Sequence, residues 1–115
     1  MTNLEDLIAK VLEFRNERDW KQFHNPKDLA VSLSLEAAEV LEHFQWKNKE
    51  EMAEHVTTHR EELGEELSDV LFWVLLMAHD MEIDIATAFV KKLGKNAAKY
   101  PVEKSKGKHT KYTEL

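Results

Sequence analysis

What most constrains this chain is how little interrupts it. Only three glycines (Gly64, Gly94, Gly107) and two prolines (Pro26, Pro101) occur in 115 residues. An all-β sandwich needs turn residues roughly every 8–12 positions, so that architecture is disfavoured. Apolar residues instead recur at helical spacing almost throughout. Leu4, Leu7, Ile8, Val11 and Phe14 mark a first helix to about residue 18, with Thr2 as its cap and Glu5 as capping-box partner. The segment RDWKQFHNPKDL breaks the period. Within it Asn25 suits an N-cap, Pro26 the first helical position, and Asp28 the positive end of the helix dipole.

A second helix is expected over residues 26–46, apolar on nearly every face through Leu29, Val31, Leu33, Leu35, Ala37, Val40, Leu41 and Phe44, and therefore buried on several sides. Residues 47–58 are polar and read as a short helix or an excursion after Asn48. A third long helix spans about 59–80. Asp84 can cap a fourth, with Ile85, Ala88, Phe89 and Leu93 as its inward stripe. Beyond Tyr100 and Pro101 the chain turns Lys-rich, and no structure is assigned there. The pattern predicts an all-α, four-helix-bundle-like fold in a single domain over residues 1–115, with a basic tail from about 101. Its apolar surface exceeds what one small bundle encloses, which favours a homo-oligomer.

Composition removes several function classes. Without cysteine there are no disulfides, thiolate zinc sites or Cys nucleophiles. The longest apolar run, residues 70–78, is nine residues long. A membrane-spanning helix needs about 20, so no membrane association is expected. The N-terminal MTNLEDLIAK lacks the basic start of a secretory signal, and a cytoplasmic setting is the default. Residues 1–90 carry 8 Lys+Arg against 20 Asp+Glu, whereas residues 91–115 carry 8 Lys against 2 Glu. An acidic body repels a nucleic-acid polymer. Acid clusters beside a basic tail suit a divalent cation with a small polyanion bound to it.

The acids fall into two sets. Glu36 and Glu39 stand at i and i+3 in LEAAEVL, and Glu62, Glu66 and Asp69 follow at spacings of four and three. Each set projects from one helix face. Such pairs are ordinarily a solvated face. Here Glu36 and Glu39 sit in the most apolar part of their helix, and Asp69 directly precedes the nine-residue apolar run. Like charges stacked in a largely buried groove destabilise the fold unless a cation neutralises them. No histidine lies three residues after a glutamate, so the Glu-x-x-His pattern of di-iron bundles is missing. All-oxygen ligation with no histidine points to Mg2+ or Mn2+ and argues against iron or zinc.

Glu36-x-x-Glu39, 26 intervening residues and then Glu66-x-x-Asp69 resembles the E-x-x-E…E-x-x-D signature of the MazG-like all-α nucleoside triphosphate pyrophosphohydrolases. The surrounding WKQFHNPKDL, LEAAEVLEHFQW, EELSDVL and terminal KYTEL resemble the dCTP pyrophosphatase branch. The resemblance implies Mg2+-dependent hydrolysis of a nucleoside triphosphate, dCTP or a modified dCTP, to the monophosphate and pyrophosphate. It also implies a homotetramer built as a dimer of dimers. By that likeness Glu36, Glu39, Glu66 and Asp69 hold metal. Trp20, Phe23, His24, Trp46 and Trp73 fall on or near base- and sugar-pocket positions, Trp73 replacing an expected Tyr. Asn96 matches a polar contact, phosphate binding then leans on Lys92, Lys95, Lys99 and Lys111, and the KYTEL likeness implies that Lys111 and Tyr112 fold back onto a site, their own or a neighbour's.

The residues read on their own agree with a phosphoanhydride hydrolase that forms no covalent enzyme intermediate, because a divalent ion both neutralises phosphate charge and activates water. Glu62 and Glu65 are candidates for orienting or deprotonating that water, or are simply solvated. Trp20, Phe23 and Trp73 are core residues or base-stacking residues. His43, His55, His59 and His79 read as surface or structural. From other classes, a non-catalytic helical oligomer acting as an adaptor, or a relative cleaving phosphoribosyl-ATP, would carry similar acids.

Overall fold

The computed structural model describes residues 3–115 and is helical, with no strand among them. Six α-helices follow in order: α1 (Leu4–Glu17), α2 (Pro26–Glu42), α3 (Lys49–Thr58), α4 (Arg60–Asp80), α5 (Ile85–Lys99) and the single turn α6 (Val102–Ser105). Short 3-10 turns occupy Lys21–Phe23 and Tyr112–Glu114. The capping role expected of Thr2 lies outside the described residues. Within them Asn3 is the cap of α1, its side chain accepting from the Asp6 backbone N–H at 2.9 Å.

The chain divides into two compact units, one ending at Glu82 and the other starting at Ile83. In the first, α4 is the central rod, and α1, α2 and α3 all pack on it. The buried apolar residues are Leu29 of α2 with Leu63, Leu75, Leu76 and Ala78 of α4. Caps set the ends of these rods. Asn25 accepts from the Asp28 N–H with Pro26 at the first position, as its sequence predicts. Asn48 and Glu51 close a reciprocal capping box, which makes residues 49–58 a defined helix.

Two expectations fail here. Helix α2 stops at Glu42 rather than 46, because the Val40 and Leu41 carbonyls accept from His43, Phe44 and Gln45 in a tightened last turn. It is also not buried on several sides: Leu29 is enclosed, whereas Val31, Leu35 and Leu41 are exposed. Its principal packing partner is α4, and one neighbouring rod covers only one face.

In the second unit Asp84 caps α5, accepting from the Thr87 N–H. The stripe expected to point inward is open: Phe89 and Leu93 are exposed, and Ile85 and Ala88 half-buried. A single turn such as α6 offers too little surface to cover it. The tail, to which the sequence assigns no structure, carries α6 and the 3-10 turn Tyr112–Glu114. Tyr112 packs edge-on against Tyr100 at 5.9 Å, and the Lys99 ammonium lies 4.6 Å from the Tyr112 ring centre.

Candidate functional site

Helices α2 and α4 carry the acids, and their packing brings them together. Glu36 and Glu39 from α2 and Glu66 and Asp69 from α4 each place a carboxylate oxygen within 4.8 Å of all the others. Three-residue spacing puts each pair on one side of its rod, and α2 lies against α4. The groove is shallower than the sequence suggested: Glu36 and Glu66 are half-buried, Glu39 and Asp69 exposed.

The cluster is electrostatically unsatisfied. Burial raises the Glu36 carboxyl above its ordinary range, and the neighbouring Glu39, Asp69 and Glu66 raise it further. For Glu66 the adjacent Glu39 carboxyl acts first and burial second, with His43 opposing both. One oxygen of each, Oε2 of Glu36 and Oε2 of Glu66, is buried with no hydrogen-bond partner. Buried polar atoms are rarely left so. Four oxygens converging with two orphaned lone-pair sites form a donor set suited to a hard cation.

Beside this cluster lies a cavity of about 450 Å³, lined by Lys10, Val11, Phe14, Trp20, Phe72 and Trp73 together with Glu36 and Asp69. Its rings meet edge to face: Phe14 with Trp20 at 5.7 Å, Phe14 with Phe72 at 5.8 Å, Phe72 with Trp73 at 5.0 Å. An aromatic slot opening onto carboxylates can stack a planar heterocycle while a charged appendage reaches the acids.

The remaining sequence candidates are placed as follows. His24 does not line the slot but packs its ring on Trp73 at 5.7 Å, and its Nδ1 is 3.4 Å from Arg15 Nη1. Burial, and then the Arg15 charge, hold its pKa below the usual imidazole value. Phe23 is 65% and Trp46 86% exposed, and neither lines the slot. Glu62 and Glu65 are exposed on α4, outside the four-carboxylate group. Lys92, Lys95, Asn96 and Lys99 lie on α5, and Lys111 and Tyr112 in the tail; only Asn96 among them is half-buried.

Sequence reasoning missed the α1 wall of the slot, Lys10, Val11 and Phe14, for which the sequence holds no signal beyond an ordinary amphipathic stripe. His43, His55 and His59, expected as surface or structural residues, form a chain of contacts beside the acids. His43 Nδ1 and His55 Nε2 are 2.7 Å apart, His55 stacks on His59 at 4.0 Å, and His43 Nε2 lies 4.0 Å from Glu66 Oε1. One clue was present: His43 follows Glu36 by seven residues, two turns along one face.

Against known proteins, residues 31–115 match the model of the MazG-like family. The chain belongs to the MazG-like family. Its relatives include dCTP pyrophosphatase 1 of Bos taurus, 41% identical over 114 residues, a match covering 97% of this chain and 68% of that protein. The Homo sapiens dCTP pyrophosphatase 1 is 40% identical, with 97% and 67% covered. Among solved structures, a pyrophosphatase from Archaeoglobus fulgidus DSM 4304 superposes with a TM-score of 0.82 at 40% identity, covering 88% of this chain and 94% of that one. In this MazG-like chain no described helix is long and apolar enough to cross a membrane.

Proposed function

We propose that this protein is a Mg2+-dependent nucleoside triphosphate pyrophosphohydrolase, acting on dCTP or a modified dCTP and releasing the monophosphate and pyrophosphate. The observation that carries the reading is the four-carboxylate group with two orphaned oxygens, opening directly onto an aromatic slot. Relatives at 40–41% identity that bear the name dCTP pyrophosphatase 1 support it. An adaptor would need neither feature.

Glu36, Glu39, Glu66 and Asp69 would hold the cation. Their hard, all-oxygen donor set with no imidazole fits Mg2+ or Mn2+ rather than zinc or iron. Bound there, the ion supplies charge neutralisation for the triphosphate and acidification of the attacking water. The chain's own side chains do the rest. Trp20 and Trp73 would stack on the base, in a slot that Phe14 and Phe72 also line. His24 buttresses Trp73 from outside. Glu62 or Glu65 orients the water. In an assembled homotetramer Phe23 and Trp46 would complete the pocket, Lys92, Lys95, Lys99 and Lys111 would add positive charge for the phosphate chain, and Asn96 and Tyr112 would add polar contacts. The whole chain then works as one functional domain on a cytoplasmic nucleotide pool.

The test is incubation with Mg2+ and a panel of triphosphates, resolving products by chromatography. Monophosphate and pyrophosphate in equal amounts, fastest from a cytosine nucleotide, are expected. Orthophosphate with the diphosphate, or no turnover of any triphosphate, overturns the reading.

A further inference from the structure

The carboxylate group opens on two sides. Glu36 and Asp69 line the aromatic slot, whereas Glu39 and Glu66 line a separate polar cleft of about 400 Å³ with Glu42, His43, Lys47 and His55. Two features of this cleft are unexplained by the acids alone. Lys47 is half-buried there beside three glutamates, yet makes no ion pair among the described residues. Its ammonium keeps three donors to offer.

The second feature is His43. A single proton lies between His43 Nδ1 and His55 Nε2 at 2.7 Å. Were a neutral His43 the donor, its Nε2 lone pair would face the Glu66 carboxylate 4.0 Å away, a repulsive arrangement. In the two remaining arrangements, His55 donating or His43 carrying both ring hydrogens, His43 Nε2 bears a hydrogen that faces the acids. That distance is too long for a hydrogen bond, so the N–H is a donor without an acceptor. His55 is itself fixed, edge-on to Phe44 at 5.7 Å and stacked on His59 at 4.0 Å.

We infer that this cleft seats the two terminal phosphates of the substrate, with Lys47 and His43 Nε2–H as their contacts and His55 as the residue that positions His43. The inference rests on the function proposed above. A nucleotide with its base in the aromatic slot carries its phosphates past the four carboxylates, and the cleft is where they emerge. In the hydrolysis, the water oxygen forms the new bond to phosphorus and the α–β anhydride bond breaks. Its electron pair stays on the bridging oxygen, and one water proton is released. The diphosphate fragment is left between Lys47 and His43, where charge-assisted donors stabilise it.

The test is calorimetric titration of inorganic pyrophosphate into the Mn2+-loaded full-length protein. Wild type binds. Lys47→Gln weakens binding about tenfold, as loss of one charge-assisted contact should, and Lys47→Arg stays close to wild type. The Mn2+ affinity of Lys47→Gln measured without pyrophosphate is unchanged. His43→Leu also weakens pyrophosphate binding, and adding His55→Leu to it costs nothing more, the non-additivity expected of a residue acting through another. Circular dichroism establishes that each variant is folded. Equal affinity in wild type and Lys47→Gln, or no binding in either, overturns the inference. Turnover of triphosphates by the same wild-type sample tests the proposed function separately: intact turnover with equal pyrophosphate affinities sinks the cleft alone.

Discussion

Arg15 and Asp80 close the first unit from opposite ends of its chain. The Arg15 guanidinium donates from Nη1 to Asp80 Oδ2 at 2.7 Å and from Nη2 to Oδ1 at 2.8 Å, a two-pronged bond across 65 residues of sequence. Arg15 is 1% exposed. The same Nη1 approaches His24, and His24 packs on Trp73. The wall of the aromatic slot is thereby tied to a charge pair, its guanidinium buried, that joins the last turns of α1 and α4.

Breaking that pair leaves a charge stranded in the core. Asp80→Ala should destabilise the protein by about 3 kcal/mol, the lower end of the cost of removing one partner of a buried pair, because Arg15 is enclosed and Asp80 is partly in water. Arg15→Met, which fills the space without charge, should cost much less. Urea unfolding followed by circular dichroism measures both; equal losses in the two variants would show that the charge is not what matters. The pair also sets an acid limit. The Arg15 hydrogen bonds hold the Asp80 carboxyl below its ordinary range, so its contribution is complete above the unfolded-state pKa and is lost as pH falls through the lower folded value. Wild type should lose melting temperature below about pH 4 more steeply than Asp80→Asn.

The carboxylate group gives the opposite sign. Glu36 and Glu66 are raised, so without metal their contribution is present below the unfolded-state pKa and is lost as pH rises through the folded value. A cation replaces the missing protons. Mg2+ should therefore raise the melting temperature more at pH 7.5 than at pH 5, as binding to the native state requires. Glu39→Gln should abolish turnover, shrink that Mg2+ shift, and leave the helical signal intact, because Glu39 is exposed. Undiminished activity in Glu39→Gln would remove this residue from the metal site.

These two cases show where the sequence is legible. The acids could be found because a ligand pair at i and i+3 is a local property of one helix, and the caps Asn25 and Asp84 are equally local. Arg15 and Asp80 could not be paired from sequence, since only the docking of α1 on α4 joins them. The same holds for Lys10 and Phe14 in the slot, and for His43 and His55, which meet only because α3 folds back beside the end of α2. The early end of α2 and the folded tail fail for another reason. Their composition permits longer helix and loose coil respectively, and backbone hydrogen bonds at Val40, Leu41 and Pro101 decide otherwise.

The aromatic slot makes a spectroscopic prediction. Two of the three tryptophans line it, and Trp46 does not. A nucleotide that stacks there should quench the fluorescence of Trp46→Phe strongly, and a protein lacking both Trp20 and Trp73 should keep only the smaller quenching that Trp46 contributes in the assembled pocket. Trp20→Ala should weaken nucleotide affinity by about tenfold, the lower end of what one base–aromatic stack contributes. Trp20 is 40% exposed, so the fold should tolerate the change. Full quenching in the double variant would place the base elsewhere.

The uncovered apolar faces predict assembly. Leu35 on α2 and Leu67 on α4 are 62% and 59% exposed, and Phe89, Val90 and Leu93 line an open stripe on α5. Leaving so many large apolar side chains in water is costly, at about 25 cal/mol per Å², and a second copy of the chain is the partner the proposed homotetramer supplies. Light scattering should report a mass near four times 13.5 kDa. Leu67→Glu and Phe89→Glu place a charge in the two faces separately. If the assembly is a dimer of dimers with each face serving a different contact, each variant should stop at a dimer and the double variant at a monomer. A wild-type protein that runs as a monomer at micromolar concentration would show that these faces stay wet.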